Sequence, residues 1–176
     1  MSILTKNAIL NRIEKGDIVI NPFNEDLLNP NSVDLTLSKH LKCYAQDRLD
    51  SKSPNKTIDF DMDEDGMVLN PNTVYLARTN EWTETYNLVP KLDGKSSIGR
   101  LGLSIHITAG FGDIGFKGFW TLELSCVQPV RIYPNMKICQ INYWTLETAY
   151  RPIENYKGKY QNQSEVIASK NHKDYE

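Results

Sequence analysis

A group of residues suited to binding an anion lies in one short segment, residues 93–103, with the sequence DGKSSIGRLGL. Its glycines allow backbone N–H groups to approach an anion closely. Lys95 supplies a positive charge, and the hydroxyls of Ser96 and Ser97 can donate hydrogen bonds to phosphate oxygens. Arg100 lies close enough in sequence to reach a second part of the same ligand. A polar turn has a similar composition, so this segment alone leaves both interpretations open.

Two carboxylates follow downstream, each in a setting that suits chemistry on a ligand. Asp113 lies in a glycine-rich turn at residues 110–118, where a carboxylate can be held close to a ligand. Glu123 lies in residues 119–126, an alternating segment that predicts a strand with its apolar side chains on one face. Glu123 then projects from the opposite face, beside Thr121. An aspartate that bonds its own loop and a glutamate on a solvated strand face are the alternatives.

The sequence lacks the motifs of the common metal-dependent and nucleophilic enzymes. It contains no HExxH or GxSxG segment and no Walker A segment. It also lacks the HxE and PCxxC pair of the zinc nucleobase deaminases. The few cysteines and histidines are widely spaced, which argues against a disulfide framework and against a structural zinc site. These residues are Cys43, Cys126, Cys139, His40, His106 and His172.

Composition and charge narrow the range of partners. The 176 residues are 40% hydrophobic and 24% charged, which is typical of one soluble globular domain. The formal net charge is −2, so we expect no overall basic field that would attract nucleic acid. No apolar stretch is long enough to span a membrane, and the first residues do not resemble a signal peptide. The cytoplasm is therefore the expected location.

Short elements must position the side chains that could do chemistry. A helix is predicted near the N-terminus, with Thr5 as its N-cap and Gly16 just beyond its C-terminus. From residue 17 onward apolar residues alternate, and Asn, Pro, Asp and Gly separate the short runs. Regular alternation of strands with helices is absent, so we predict a mainly β fold, a sandwich or barrel. The predicted strands include residues 18–20, 33–37, 74–77, 103–107 and 120–126.

Two segments depart from the alternating pattern. Residues 45–66 are polar and acidic and are predicted to form an exposed excursion between strands. From residue 149 the chain loses its apolar periodicity, and such a segment cannot bury enough surface to fold alone. We therefore expect a β-rich domain at residues 1–148 and a C-terminal tail at residues 149–176. The tail is either disordered or ordered by docking.

Several ordered segments together resemble the dCTP deaminase and dUTPase superfamily, with the spacing of its dCTP deaminase branch. Residues 93–103 are followed by HITAGFGDIGFKG at residues 106–118 and by TLELS at residues 121–125. Upstream, residues 29–37 (NPNSVDLTL) are similar to the PxSVDLxL segment of the family. Downstream, residues 158–163 (GKYQNQ) are similar to its C-terminal KYxxQ tail. The resemblance covers nearly the whole chain.

The resemblance implies a distorted jelly-roll-like β fold that assembles as a homotrimer, with active sites between subunits. It also implies hydrolytic deamination of dCTP to dUTP and ammonia, a step in the supply of pyrimidine deoxynucleotides. The family binds Mg²⁺ together with the substrate triphosphate and uses no zinc, and dTTP is a candidate inhibitor. The β-rich domain would then bind the nucleotide, and the polar tail would close over the triphosphate.

Family roles carried onto the matching residues form a consistent mechanism. Glu123 would act as general base and acid for a water that attacks C4 of cytosine. Arg100 and Ser96 would position this water and stabilise the charge that develops at C4. Asp113 would accept a hydrogen bond from the 3′-hydroxyl of the sugar. The other expected contacts are Lys95 and Ser97 with the phosphates, the main chain of Ile107 to Ala109 and of Thr121 and Leu122 with the base and sugar, and Tyr156, Lys159 and Gln163 with the triphosphate.

Three positions depart from the family pattern. Lys95 stands where Arg is common, Ile114 replaces the Pro of an Asp-Pro-Gly turn, and Cys126 replaces a frequent Asn. Three alternatives to a deaminase that releases dUTP remain open. One is a bifunctional enzyme that forms dUMP and pyrophosphate, with Asp113 activating a water at the α-phosphate. The others are a dUTPase alone and a non-catalytic nucleotide-binding β module.

Overall fold

Two short helices and ten strands make up the part of the chain that the computed structural model describes, residues 2–147 and 153–176. The helices are α1 (Lys6–Glu14) and α2 (Ser96–Gly99), and 3₁₀ turns lie at Glu25–Leu27 and Asn171–Asp174. The strands are β1 (Ile18–Asn21), β2 (Val33–Tyr44), β3 (Thr57–Asp61), β4 (Met67–Leu69), β5 (Tyr75–Thr85), β6 (Val89–Gly94), β7 (Leu103–Ser104), β8 (Lys117–Cys126), β9 (Val130–Ile132) and β10 (Lys137–Trp144).

Eight of the described strands form one antiparallel sheet. Its main path runs β6-β10-β2-β5-β8-β7, while β1 pairs with β5 and β3 pairs with β2. The other two strands, β4 and β9, form a separate antiparallel pair. Because β2 and β5 each pair with three strands, the sheet bends and approaches a closed barrel. The prediction of a mainly β fold with a short N-terminal helix is confirmed.

Strand β8 carries the alternation that the sequence predicts. Trp120, Leu122, Leu124 and Cys126 are buried, and the residues between them are half-buried. β8 pairs with β5 over most of its length and with β7 at its C-terminal end. Because side chains alternate along a strand, Glu123 projects from the face opposite to this buried row.

Helix α1 begins after Thr5 and is followed by Gly16, as predicted. Gly16 has a φ of 75°, and its N–H donates a hydrogen bond to the carbonyl of Ile13 at 3.0 Å. This left-handed residue ends the helix. Thr5 has the extended backbone of an N-cap, but its side chain makes no capping hydrogen bond. None of the described helices is long and apolar enough to cross a membrane.

The strand predicted at residues 103–107 is too long. β7 ends at Ser104, and Ile107 is 58% exposed instead of entering the core. The reason is that the N–H of Ile107 donates to the side chain of Glu123 at 3.1 Å and not to a strand backbone. The chain therefore turns away from the sheet at this point.

The predicted excursion at residues 45–66 is also only partly correct. Residues 57–61 form β3, which pairs with the C-terminal half of β2. This pairing satisfies backbone groups of β2 beyond the point where it pairs with β10. Residues 45–50 are exposed, in agreement with the prediction.

The described part of the tail, residues 153–176, docks on β8. The N–H of Phe119 donates to the carbonyl of Gln163 at 2.9 Å, and the N–H of Asn162 donates to the carbonyl of Lys117 at 2.9 Å. Of the two alternatives for the tail, docking is the one observed. The expected domain boundary between residues 148 and 149 lies outside the described residues.

Candidate functional site

A cavity of about 560 Å³ opens between β8, the loop that precedes it and the C-terminal tail. This volume falls within the range of small-molecule sites in proteins. The predicted site residues that line the cavity are Ile107, Ala109, Asp113, Thr121, Glu123, Tyr156 and Gln163. The predicted residues that do not line it, within the described part of the chain, are Lys95, Ser96, Ser97, Arg100, Leu122 and Lys159.

Glu123 is oriented by the loop that faces β8. Its main-chain N–H donates to the carbonyl of Ile105 at 3.0 Å, and its Oε2 accepts the N–H of Ile107 at 3.1 Å. The side chain is half-buried. Its other oxygen, Oε1, has no hydrogen-bond partner within residues 2–147 and 153–176. One carboxylate oxygen thus fixes the side chain while the other is available to a ligand.

Asp113 reaches the cavity from the loop between β7 and β8. A side chain at Gly112 would meet the ring of Trp120 at 2.4 Å and Pro90 at 2.9 Å, so only glycine lets the loop pack this closely. The N–H of Gly112 also donates to the carbonyl of Pro90 at 2.9 Å. Asp113 is exposed beside this contact, and its carbonyl accepts the N–H of Phe116 at 3.2 Å. The loop therefore presents an exposed carboxylate to the cavity.

Aromatic side chains form much of the cavity wall. Phe116 packs against Trp120 with ring centroids 4.8 Å apart and against Tyr156 of the tail at 6.2 Å. The indole N–H of Trp120 donates to the hydroxyl of Thr83 at 2.8 Å, which fixes the orientation of the ring. Such a wall suits a planar heterocyclic base, because an aromatic face can stack on it.

The sequence analysis did not predict the apolar lining of the cavity. Its members come from the end of β2 and the segment that follows it, the start of β5 and the residue before it, the loop before β8, β8 itself and the tail. No catalytic or binding motif marks them, although Phe111, Phe116 and Tyr160 lie within the segments that carried the resemblance. These residues are Tyr44, Leu49, Val74, Leu76, Phe111, Phe116, Trp120, Tyr160 and Ile167.

The tail covers one side of the cavity through contacts with β8. Gln163 is buried, and its side-chain Nε2 donates to the carbonyl of Phe119 at 2.5 Å. The hydroxyl of Thr121 accepts the N–H of Ile167 at 3.3 Å. Tyr156 lines the cavity from the same segment. The fold thus brings the tail residues and the strand residues of the prediction together.

The side chains of two predicted contact residues do not line the cavity. The Nζ of Lys159 pairs with Asp174 at 2.6 Å and donates to the carbonyl of Lys170 at 3.4 Å. The side chain of Leu122 is fully buried in the core. Only the main chain of Leu122 can therefore face a ligand.

The predicted anion-binding segment lies apart from the cavity in a single chain. Ser96, Ser97 and Arg100 are exposed on and after α2. Ile98 is buried and fixes this short helix to the core. Lys95 precedes α2, and its Nζ pairs with Asp34 of β2 at 2.5 Å. One chain therefore displays two sets of predicted residues, one around the cavity and one on α2.

No cluster of three or more His, Cys, Asp or Glu side chains is placed to hold a metal ion in the described ranges 2–147 and 153–176. Of the predicted carboxylates, Glu123 and Asp113 both line the cavity, on β8 and on the preceding loop. The arrangement can accept a proton at one end of a ligand and bind or activate a hydroxyl group at another.

Comparison with known proteins agrees with the resemblance seen in the motifs. The family model for dCTP deaminase-like proteins matches residues 3–146. A protein named "dCTP deaminase, dUMP-forming" from Hathewaya histolytica is 54% identical over 174 residues, which cover 99% of each chain. A protein of the same name from Clostridium botulinum (strain Alaska E43 / Type E3) is 52% identical with the same coverage.

A solved structure supports the fold. The 2′-deoxycytidine 5′-triphosphate deaminase from Agrobacterium tumefaciens superposes with a TM-score of 0.62 at 21% identity. The match covers 80% of this chain and 47% of that chain, so this chain spans about half the length of the Agrobacterium protein. The family match and the two full-length relatives together establish that the chain belongs to the dCTP deaminase-like family.

Proposed function

We propose that the chain converts dCTP to dUMP, ammonia and pyrophosphate, by deamination at C4 followed by hydrolysis at the α-phosphate. The observation that carries this proposal is the pair of carboxylates, Glu123 and Asp113, on one cavity with an aromatic wall. Two separate hydrolytic steps need two groups that act at different parts of the nucleotide. The relatives named "dCTP deaminase, dUMP-forming" favour this alternative over the dUTP-releasing enzyme that the sequence analysis put first.

The first step would be deamination of the base. Glu123 would take a proton from water, and the resulting hydroxide would attack C4 of cytosine. The same carboxyl would then give this proton to the ring nitrogen, take a second proton from the new C4 hydroxyl and deliver it to the amine, which leaves as ammonia as the C4 carbonyl forms. The N–H of Ile107 on Oε2 would hold the side chain in place throughout. Arg100 and Ser96 would position the water and stabilise the charge at C4.

The second step would be hydrolysis of the triphosphate. Asp113 is exposed on the cavity and would contact the 3′-hydroxyl or orient a water toward the α-phosphate. The two reactions together consume two water molecules, one for each hydrolysis. Pyrophosphate leaves with the oxygen of the broken P–O bond.

Magnesium would enter with the nucleotide. Mg²⁺ in phosphoryl chemistry is usually held by phosphate oxygens and one or two carboxylates. Asp113 is an exposed carboxylate that fits this limited role. When bound, the ion would neutralise charge on the triphosphate, and the chain would supply the binding surface.

A homotrimer would supply the α2 residues to each cavity. Ser96, Ser97 and Arg100 do not line the cavity of their own chain, as far as the described residues show. At the cavity rim, Ile107 is 58% exposed and Phe111 is 68% exposed. An exposed apolar rim is typical of a surface that another subunit covers. α2 of a neighbouring subunit would then complete the site.

The tail would act as the lid of this site. Tyr156 and Gln163 already line the cavity, and Lys159 lies between them in the sequence. Lys159 would exchange its exposed partner Asp174 for a phosphate when the triphosphate binds. Closure by a docked segment excludes water and completes the contacts.

Product analysis tests the proposal. The protein is supplied with dCTP or dUTP, each with Mg²⁺, and ammonia, dUTP, dUMP and pyrophosphate are measured. We expect dCTP to yield ammonia and pyrophosphate in equal amounts, with little free dUTP. Asp113→Asn should reduce release of pyrophosphate more than release of ammonia. Formation of ammonia and dUTP without pyrophosphate would contradict the second step, and binding of dCTP without ammonia would contradict both.

A further inference from the structure

A buried carboxylate lies directly beneath the start of α2. Asp34 of β2 has a side chain only 5% exposed. Its Oδ1 accepts the Nζ of Lys95 at 2.5 Å and the Nδ2 of Asn29 at 2.8 Å. The Nζ of Lys137 lies 3.8 Å from Oδ2 and its side chain is half exposed. Lys95 is therefore the main charge partner of Asp34.

A second contact from the same place in the sheet holds the residue before Lys95. Gln140 of β10 lies opposite Asp34 in the strand register. Its Nε2 donates to the carbonyl of Gly94 at 2.9 Å, and its Oε1 accepts the hydroxyl of Ser32 at 2.7 Å. Lys95 is thus tied to β2 through its side chain, and Gly94 is tied to β10 through its carbonyl.

The ammonium of Lys95 is committed to this contact. Its side chain is only 20% exposed, whereas Ser96, Ser97 and Arg100 are exposed. If Lys95 turned outward to a ligand, Asp34 would remain buried with one amide donor and a distant, exposed lysine. A buried charge that loses its partner is strongly destabilising. Exposed neighbours can meet an anion without this cost.

We propose that Asp34 is a positioning residue that anchors Lys95, so that α2 holds Ser96, Ser97 and Arg100 in a fixed place while the Lys95 ammonium does not bind phosphate. This inference rests on the proposed function, in which the α2 residues complete the active site. It assigns Lys95 a role different from the phosphate contact expected from the sequence. Because Asp34 belongs to the NPNSVDLTL segment, this segment also contributes to the site by holding α2 in place.

The first test is Asp34→Asn, because the two alternative roles of Lys95 predict opposite changes in the affinity for dCTP. If Asp34 anchors α2, the variant should bind dCTP about tenfold more weakly and lose kcat/KM to a similar extent. If Lys95 is instead a phosphate ligand that Asp34 restrains, the variant frees its ammonium and binds dCTP more tightly. Calorimetric titration with dCTP and Mg²⁺ measures this difference, and tighter binding would overturn the inference.

A double-mutant cycle supplies the second test. Lys95→Met and the combination with Asp34→Asn are compared with the two single variants. We expect the combined loss of dCTP affinity to be no larger than the larger single loss, because both changes remove one contact. Lys95→Arg should bind dCTP about as tightly as the wild type does, since a guanidinium can pair with the same carboxylate. Additive losses would contradict the anchor.

A matched control is available on the adjacent strand. Lys91 of β6 pairs with Asp93 at 2.8 Å, and both side chains are more than one-third exposed. Lys91→Met removes the same charge near α2 without uncovering a buried carboxylate, so dCTP binding should stay within about twofold of wild type. A loss equal to that of Lys95→Met would mean that the general field near α2, and not the anchor, is responsible.

Melting temperatures without nucleotide separate this inference from the proposed function. Coupling between positions 34 and 95 should appear in Tm even if the wild type releases no ammonia. If Asp34→Asn alone does not fold, Asp34→Asn with Lys95→Met is compared with Lys95→Met. The neutral pair should then be the more stable of the two, because it leaves no buried unpaired charge. Absence of this recovery would overturn the anchor.

Discussion

At the scale of single residues, Glu123 has the two properties that a proton-transfer group needs. Its Oε2 is oriented by the N–H of Ile107, and its Oε1 has no hydrogen-bond partner among the described residues. Glu123→Gln keeps the size of the side chain and can still accept this N–H through its amide oxygen. The carboxylate that takes up a proton is lost.

We therefore expect Glu123→Gln to lower the rate of ammonia release by about 10²- to 10⁴-fold. Binding of dCTP should change by less than about threefold, because the shape of the cavity is kept. Ammonia assays and calorimetry measure the two effects. Glu64→Gln, at an exposed turn carboxylate that does not line the cavity, is the control and should retain full activity. Wild-type turnover by Glu123→Gln would remove Glu123 from the chemistry.

At the scale of elements, the pairing of β2 with β5 encloses a carboxylate at a register shift. Glu81 is 3% exposed and lies where the register of β5 with β8 changes. Its Oε1 accepts the hydroxyl of Thr36 at 2.6 Å, and its Oε2 accepts the N–H of Thr36 at 2.9 Å. Burial raises the pKa of Glu81 above its ordinary value, although these hydrogen bonds lower it in part.

The raised pKa predicts how stability depends on pH. The folded state binds the Glu81 proton more tightly than the unfolded state does. This contribution to stability is fully present below the unfolded pKa and is lost as pH rises through the folded pKa. Glu81→Gln should therefore raise Tm by a few degrees relative to wild type at pH 8, and the gain should shrink near pH 4. Thermal unfolding at both pH values measures this.

Glu84 on the same strand provides a control, because its pKa is shifted in the opposite direction. Burial acts to raise its pKa, but the hydrogen bonds from Tyr86, Trp82 and Lys117 and the positive charge of Lys117 together outweigh it, so the pKa of Glu84 is lowered. Glu84→Gln should lower Tm at pH 8, and this loss should fade as pH falls through the lowered pKa. The same pH trend for both variants would contradict the assignment of these shifts.

The tail is the element that we expect to respond to ligand. Removal of residues 153–176 deletes Tyr156 and Gln163 from the cavity and uncovers an edge of β8. We expect KM for dCTP to rise at least about tenfold, and dCTP with Mg²⁺ to protect Lys157 and Lys159 of the full chain from trypsin. Kinetics and limited proteolysis measure these effects.

A shorter truncation is the matched control for the lid. Removal of residues 171–176 leaves every tail residue of the cavity in place. It also removes Asp174, the ion-pair partner of Lys159. We expect its KM to remain within about threefold of the full chain. Equal KM values for both truncations, or equal cleavage with and without dCTP, would contradict a lid.

At the scale of the whole molecule, the separation of α2 from the cavity predicts that subunits share active sites. In a mixed trimer, a subunit with intact Glu123 and a neighbour with intact Arg100 would form one complete site. Inactive Glu123→Gln and Arg100→Gln proteins, refolded together in equal amounts, should regain about one quarter of wild-type activity. Ammonia release from the mixture measures this, with each variant refolded alone as the control.

Absence of recovery would indicate that each chain builds its site alone, provided that mixed oligomers form. Mass measurement of the refolded assembly establishes whether both variants are present in one oligomer. A monomeric protein with full activity would contradict the trimer directly.

Features that depend on near neighbours in the sequence could be predicted. The alternation of β8 set which face Glu123 occupies, since strand geometry turns successive side chains to opposite sides. Gly16 marked the end of α1, because a left-handed residue there favours glycine. The family was also predictable, because its motifs are short, ordered segments in the sequence.

Features that depend on distant contacts were decided by the tertiary structure alone. The ion pair of Lys95 with Asp34 joins residues on separate strands, and the docking of Gln163 on Phe119 joins the tail to β8. Whether Ile107 continues a strand depended on the side chain of Glu123. Local propensity carries no information on which distant partner a backbone or charged group will meet, because long-range pairing depends on the packing of the whole sheet.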